Sequence, residues 1–130
     1  MYAIRSFVVA GTLALLSSGA LFSSAALAQT ELVMIERDGC PYCARWNEEI
    51  GPIYPKTPEG ARAPLVRHNI RDDLPDGMHL DRRVVFTPTF ILLQDGHEVD
   101  RLEGYPGQDF FWGLLDRMLT RLDNSNKPEE

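Results

Sequence analysis

Cys40 and Cys43 are the only two cysteines in the chain, and Pro41-Tyr42 separates them. Two thiols three residues apart on a helix share one face, so their sulfurs can meet and close a small ring. Such a pair performs thiol–disulfide exchange. Cys40 attacks the disulfide of a partner to give a mixed disulfide, and Cys43 resolves it, leaving Cys40–Cys43 oxidised. The surroundings favour this assignment. Leu32-Val33-Met34-Ile35 reads as a buried strand, Asp38-Gly39 as a turn, and Pro41 suits the first position of a helix, where its missing N–H is not needed. Cys40 therefore sits at a helix mouth, where unpaired N–H groups and the positive end of the helix dipole stabilise a thiolate. Cys43, one turn further in, falls on the apolar face beside Trp46 and is expected to stay shielded and protonated.

Other uses of the pair are weaker. A haem attachment site needs histidine at 44, where the chain has Ala44. Zinc needs two further ligands, and His68, His79 and His97 are scattered without ligand spacing, so no metal site is expected. A purely structural bridge closing so short a loop gains little entropy. The second chemical feature is Thr87-Pro88-Thr89. A proline just ahead of a central strand cannot donate to the ladder. A cis Thr87–Pro88 bond would explain it, leaving the Thr87 backbone open to an extended substrate; an ordinary trans proline at a strand start is the alternative.

The elements that must position these residues follow from periodicity. Cys43, Trp46 and Ile50 form one helix face, which Gly51-Pro52 terminates. Residues 52–64, with four prolines, read as a structured loop with room for one short turn. Leu65–Ile70 is a second strand, and Asp72–Arg83 is expected to hold a short helix. Thr89–Leu93 is the strongest strand, joined through Asp95-Gly96 to a hairpin partner over His97–Glu103. After Pro106-Gly107, the stripe Phe111, Leu114, Leu115, Met118, Leu122 marks a last helix, and Asp123–Glu130 is a polar tail. The order implies an α/β fold. A right-handed crossover makes one parallel pair, the hairpin adds an antiparallel strand, and the result is a four-stranded mixed sheet with helices on both faces.

The N-terminal part has a different composition. Residues 1–28 carry one charge, Arg5, followed by an apolar stretch and Ala26-Leu27-Ala28. That is the layout of a cleavable export signal ending after Ala28, and its serine-interrupted apolar run is short for a membrane anchor. Its removal leaves residues 29–130, with a domain at 29–122, and takes the net charge from −6 to −7. So acidic a chain, without a Lys/Arg cluster, is a poor nucleic-acid binder. Two cysteines also exclude a disulfide-stapled mini-protein. Trp46 and Trp112 are expected in or near the core, and Tyr42 is expected to be exposed beside Cys40.

Strand-then-Cys40-Pro41-Tyr42-Cys43, Thr87-Pro88-Thr89-Phe90, the hairpin, and Gly104-Tyr105 before an amphipathic helix resemble the thioredoxin superfamily over about residues 31–122. The tetrapeptide and the small strand count look glutaredoxin-like. Gly51–Gly60 and Glu103–Gly107 resemble small exported, periplasmic thioredoxin-like proteins of the SoxS type, associated with bacterial sulfur oxidation. The resemblance implies a minimal thioredoxin-like fold, with Cys40 as nucleophile, Cys43 as resolving thiol, Pro88 as a cis-proline and Thr87 as the substrate-pairing residue. Pro41 and Tyr42 would tune the motif. One position departs from the family: the buried acid six residues before the first cysteine is here Met34. The basic or Gly-Gly elements of glutathione-using members are also missing around Pro88.

The expected function is that of a periplasmic dithiol oxidoreductase, a monomer without a cofactor, reducing disulfides or mixed disulfides on protein partners. In an oxidising compartment it needs an electron donor, for which a membrane thiol transporter is the natural class. The alternatives are a disulfide-donating oxidant, a non-catalytic binding or chaperone module that holds partners by strand pairing, and metal delivery.

Overall fold

A computed structural model describes residues 28–128. The expected export signal, apart from Ala28, lies outside the described residues. The chain begins with strand β1 (Thr30–Glu36) and helix α1 (Pro41–Glu49), then a 3₁₀ turn at Tyr54–Lys56 and helix α2 (Pro58–Arg62). Strands β2 (Leu65–Asn69), β3 (Thr89–Gln94) and β4 (His97–Glu103) and helix α3 (Gln108–Ser125) complete it. The four strands form one mixed sheet in the order β2-β1-β3-β4. β1 pairs parallel with β2 and antiparallel with β3, and the β3–β4 hairpin is antiparallel, as the element order requires.

Strand alternation distributes the core between the two sheet faces. Leu32, Met34, Phe90 and Leu92 face α1 and α3, whose Trp46, Ile50, Phe111, Leu115, Met118, Leu119 and Leu122 pack onto them. Aromatic rings dominate this side: Trp46 lies 5.3 Å from Phe90 and 5.7 Å from Phe111, the latter edge-on. Burying each such ring contributes about 1.5–3 kcal/mol, which makes this layer the main source of stability. Val33, Ile35, Ile91 and Leu93 face the other way and pack with Val84, Met78 and Leu80.

That second face corrects one expectation. Residues 72–83 form no helix; they run as an irregular strap. Pro75 and Gly77 place a turn there, with the Met78 N–H donating to the Pro75 carbonyl and Gly77 at φ +85°. The strap's backbone is then satisfied by the edge of β4 instead of by itself: His79 donates to the Gly96 carbonyl at 2.8 Å and accepts from the Glu98 N–H at 2.9 Å. Glycine at 96 is required twice over, by φ +81° and because a Cβ would strike the Gly77 carbonyl. Both long helices consequently lie on the α1 side, and irregular chain covers the opposite face.

Residues 52–64 are more ordered than a loop. Pro55 lies in the first turn of the 3₁₀ segment and Pro58 is the first residue of α2, the position that suits proline. Thr57 caps α2, its Oγ1 accepting the Gly60 N–H at 3.0 Å and donating to the Tyr54 carbonyl at 2.7 Å. The last helix passes Leu122 and continues through Ser125, with the Arg62 guanidinium bonded to the Leu119 carbonyl and to Asp123. None of the described helices is long and apolar enough to cross a membrane.

Candidate active site

The loop after β1 delivers Cys40 to the N-cap of α1, in extended conformation at φ −83° and ψ 110°. Pro41 follows as the first helical residue. Cys40 Sγ accepts the Cys43 N–H at 3.1 Å, so the sulfur takes the place of an oxygen cap on one orphan helix donor. Cys43 lies one turn on, and the two form a disulfide with Cα atoms 5.3 Å apart. Both are nearly buried, at 5% and 3% exposure. Tyr42, between them, is 58% exposed and stands at the rim, as expected.

The Thr87–Pro88 peptide bond is cis, which decides the alternative left open by sequence. Because Ile35 and Thr89 are paired across β1 and β3, the segment entering β3 meets the segment leaving β1. The Thr87 carbonyl oxygen comes within 3.5 Å of Cys40 Sγ. The Thr87 N–H has no hydrogen-bond partner among the described residues. Pro88 is anchored through its carbonyl, which accepts the Gly104 N–H at 2.7 Å, and the buried Thr89 hydroxyl donates to the Phe86 carbonyl at 2.8 Å.

Two grooves flank the disulfide. A polar one, about 710 Å³, is lined by both cysteines and by Glu36, Asp38, Asn47 and Arg67. Arg67 organises it: its guanidinium binds both Glu36 carboxylate oxygens at 3.0 Å and Asn47 Oδ1 at 2.8 Å, and lies 5.7 Å from the centre of the Trp46 ring. Met34 is fully buried beneath it, its sulfur 3.7 Å from Arg67 Nη1. The second groove, about 390 Å³, runs between Tyr42, Thr87, Gly104 and Tyr105. The Tyr105 hydroxyl donates to Glu49 at 2.5 Å, and Arg45 binds the same carboxylate at 2.9 Å. The Tyr105 bond, followed by that of Arg45, holds the Glu49 carboxyl below its ordinary value. Burial, reinforced by the Glu49 carboxylate, pushes the Tyr105 phenol up.

Several contributors were not singled out from sequence. Val85 and Phe86 are 64% and 60% exposed beside Thr87. The signal was present as an apolar triplet, Val84-Val85-Phe86, of which only Val84 turns inward. The clamp on the strap was not legible at all. Arg101 and Glu98 pair at 2.5 Å with side chains only 5% and 3% exposed. Glu98 accepts the Asp81 N–H at 2.9 Å, and Arg101 donates to the Arg82 carbonyl at 2.9 Å. This pair fixes the strap a few residues before the cis-proline. Among the described residues no group of three or more His, Cys, Asp or Glu side chains is arranged to hold a metal.

A four-stranded sheet with a Cys-X-X-Cys pair at a helix mouth and a cis-proline against it defines a thioredoxin-like domain, and the chain belongs to that family, whose model matches residues 24–119. In particular it is similar to the periplasmic thioredoxin SoxS from Paracoccus pantotrophus in its reduced form. The two are 52% identical with a TM-score of 0.71, over 72% of this chain and 99% of that one. A thioredoxin of Malassezia sympodialis, Mala s 13, matches at 16% identity and a TM-score of 0.47, over 69% of this chain and 75% of that one. No curated protein matches the chain significantly.

Proposed function

We propose that the chain is an exported thiol–disulfide oxidoreductase that reduces disulfides on protein partners through Cys40 and Cys43. The observation that carries this reading is the position of Cys40 Sγ, at the α1 N-cap and 3.5 Å from the Thr87 carbonyl. A partner strand pairing with the open Thr87 N–H brings its own disulfide to that sulfur. The Cys40 thiolate, held by the Cys43 N–H and the helix dipole, attacks one partner sulfur and displaces the other as a thiolate. Cys43 then loses its proton to the water of the polar groove and attacks Cys40 Sγ. The second partner thiolate leaves, so two electrons have passed to the partner, and its two thiolates take up protons from solvent.

Pro88 and Thr87 act as the docking edge, and Tyr42 as a contact at the rim. The leader-like N-terminus and the similarity to a periplasmic thioredoxin support export. In that compartment the oxidised pair must be re-reduced, and a membrane thiol transporter is the class of donor that can bring electrons across. The SoxS-type resemblance favours proteins of sulfur oxidation as partners.

A redox titration of the Cys40–Cys43 pair, with an insulin-reduction assay beside it, tests the direction. Potentials in this fold span from about −270 mV for reductants to about −120 mV for oxidants. We expect a value towards the reducing end and catalysed insulin reduction. A value near the oxidising end overturns the reductase reading in favour of disulfide donation.

A further inference from the structure

The strap that replaces the expected helix leaves a cavity of about 770 Å³ on the sheet face opposite α1 and α3. Its floor is apolar, built from Ile35, Ile70, Leu80 and Val84, all part of the core layer on that face. Its rim is cationic. Arg71 and Arg83 are exposed and form no ion pair among the described residues, while Arg82 is held by Glu103 at 2.8 Å. Asp72 is the one acid that lines the cavity. In a chain of net charge −6, the two arginines without a partner, Arg71 and Arg83, outnumber the lining's one aspartate and leave it a small positive excess.

The cavity reaches the segment that leads into the redox site. Val85 lines it, and Phe86 and Thr87 follow directly, with the Thr87 carbonyl 3.5 Å from Cys40 Sγ. Val85 and Phe86 are solvent-exposed apolar side chains at 64% and 60%, an unusual pair to leave uncovered next to a reactive group. We infer that this strap face docks an acidic segment of the disulfide-bearing partner, with an apolar side chain seated in the cavity and carboxylates on Arg71 and Arg83. The inference rests on the oxidoreductase reading, since it is the partner's cystine at Cys40 that brings its flanking chain across Phe86 and Val85. An apolar anchor with acidic neighbours satisfies both floor and rim, whereas a basic segment would set like charges against the two arginines.

The test uses two synthetic peptides with the same intramolecular disulfide, one followed by an Asp-Leu-Asp arm and the other by a Lys-Leu-Lys arm. Their reduction by the full chain, with Cys40–Cys43 first reduced by dithiothreitol that is then removed, is compared in single turnover as a ratio of second-order rate constants. At low salt the ratio should favour the acidic arm by about fivefold, as two exposed ion pairs allow, and should shrink as salt rises. In the double variant Arg71→Glu/Arg83→Glu it should fall below one. Because both peptides are read on the same protein, a general loss of activity in the variant does not disturb the ratio. A ratio near one in the unaltered protein, or one that survives in the double variant, overturns the docking surface. Hydroxyethyl disulfide, which has no arm, tests the redox reading by itself. If it is not reduced, that reading fails. The docking surface is then decided by fluorescence anisotropy of cysteine-free versions of the two arms, with the same ratio of affinities expected.

Discussion

Cys40 Sγ and the Thr87 carbonyl lie 3.5 Å apart, although 47 residues separate them in sequence. The contact is a consequence of strand order. β1 and β3 are antiparallel neighbours with Ile35 opposite Thr89, so the chain leaving one meets the chain entering the other. The Cys40 sulfur and the cis-proline segment are thus anchored to the two most buried strands of the sheet, which gives their spacing the rigidity of the core.

The first prediction concerns the division of labour between the thiols. Cys43→Ser should accumulate a mixed disulfide between Cys40 and a partner, since nothing remains to resolve it. Cys40→Ser should form none. Non-reducing gel electrophoresis with mass spectrometry checks this, and adducts through Cys43 in place of Cys40 would reverse the assignment.

The strap clamp should respond to acid. Burial alone would raise the Glu98 carboxyl, but the Arg101 guanidinium and the Asp81 N–H outweigh it and hold the group below its ordinary 4.5. A depressed carboxyl stabilises the fold above its unfolded value, and that contribution disappears as the pH falls through its folded value. Glu98→Gln should therefore cost about 1–3 kcal/mol at pH 7, because it leaves the buried Arg101 with only the longer contact to Glu103 at 3.6 Å. The difference between variant and parent should narrow in acid. Urea unfolding over a range of pH measures it, and an equal gap throughout would show that the carboxylate charge does not contribute.

Gly60 is a steric test of the segment between α1 and β2. A Cβ there would overlap the Tyr54 carbonyl, so Gly60→Ala must push α2 away from the turn before it. A loss of about 1–3 kcal/mol is expected by chemical denaturation. Thr57→Ala, which removes the cap on the same helix, should cost about 1 kcal/mol.

Two phenols should ionise late. Burial raises Tyr54, whose hydroxyl donates to the Ala63 carbonyl at 2.8 Å, and raises Tyr105, which also donates to Glu49. Alkaline titration of absorbance near 295 nm should show both above the ordinary 10.0. Tyr54→Phe and Tyr105→Phe should each remove one late component, and a Tyr105→Phe trace that loses an ordinary phenol instead would show that burial does not raise it.

The redox pair, the strands and the two long helices were legible in the sequence because each depends on local rules. Period and burial mark β1, β3 and α3, and Cys-Pro-Tyr-Cys after a strand and turn marks a helix mouth. The proline-rich stretch 52–64 and the polar stretch 72–83 were read the wrong way round, one as loop and the other as helix. In both the outcome depended on where backbone groups found partners: Pro58 and Thr57 start a helix that packs against Tyr54, whereas the strap bonds to the edge of β4. The cis isomer of Thr87–Pro88, the burial of Glu98 with Arg101, and the arginine-rimmed apolar cavity under the strap were decided only by tertiary structure. Each exists because strands distant in sequence become neighbours, and the free energy of such contacts is written in no single stretch of chain.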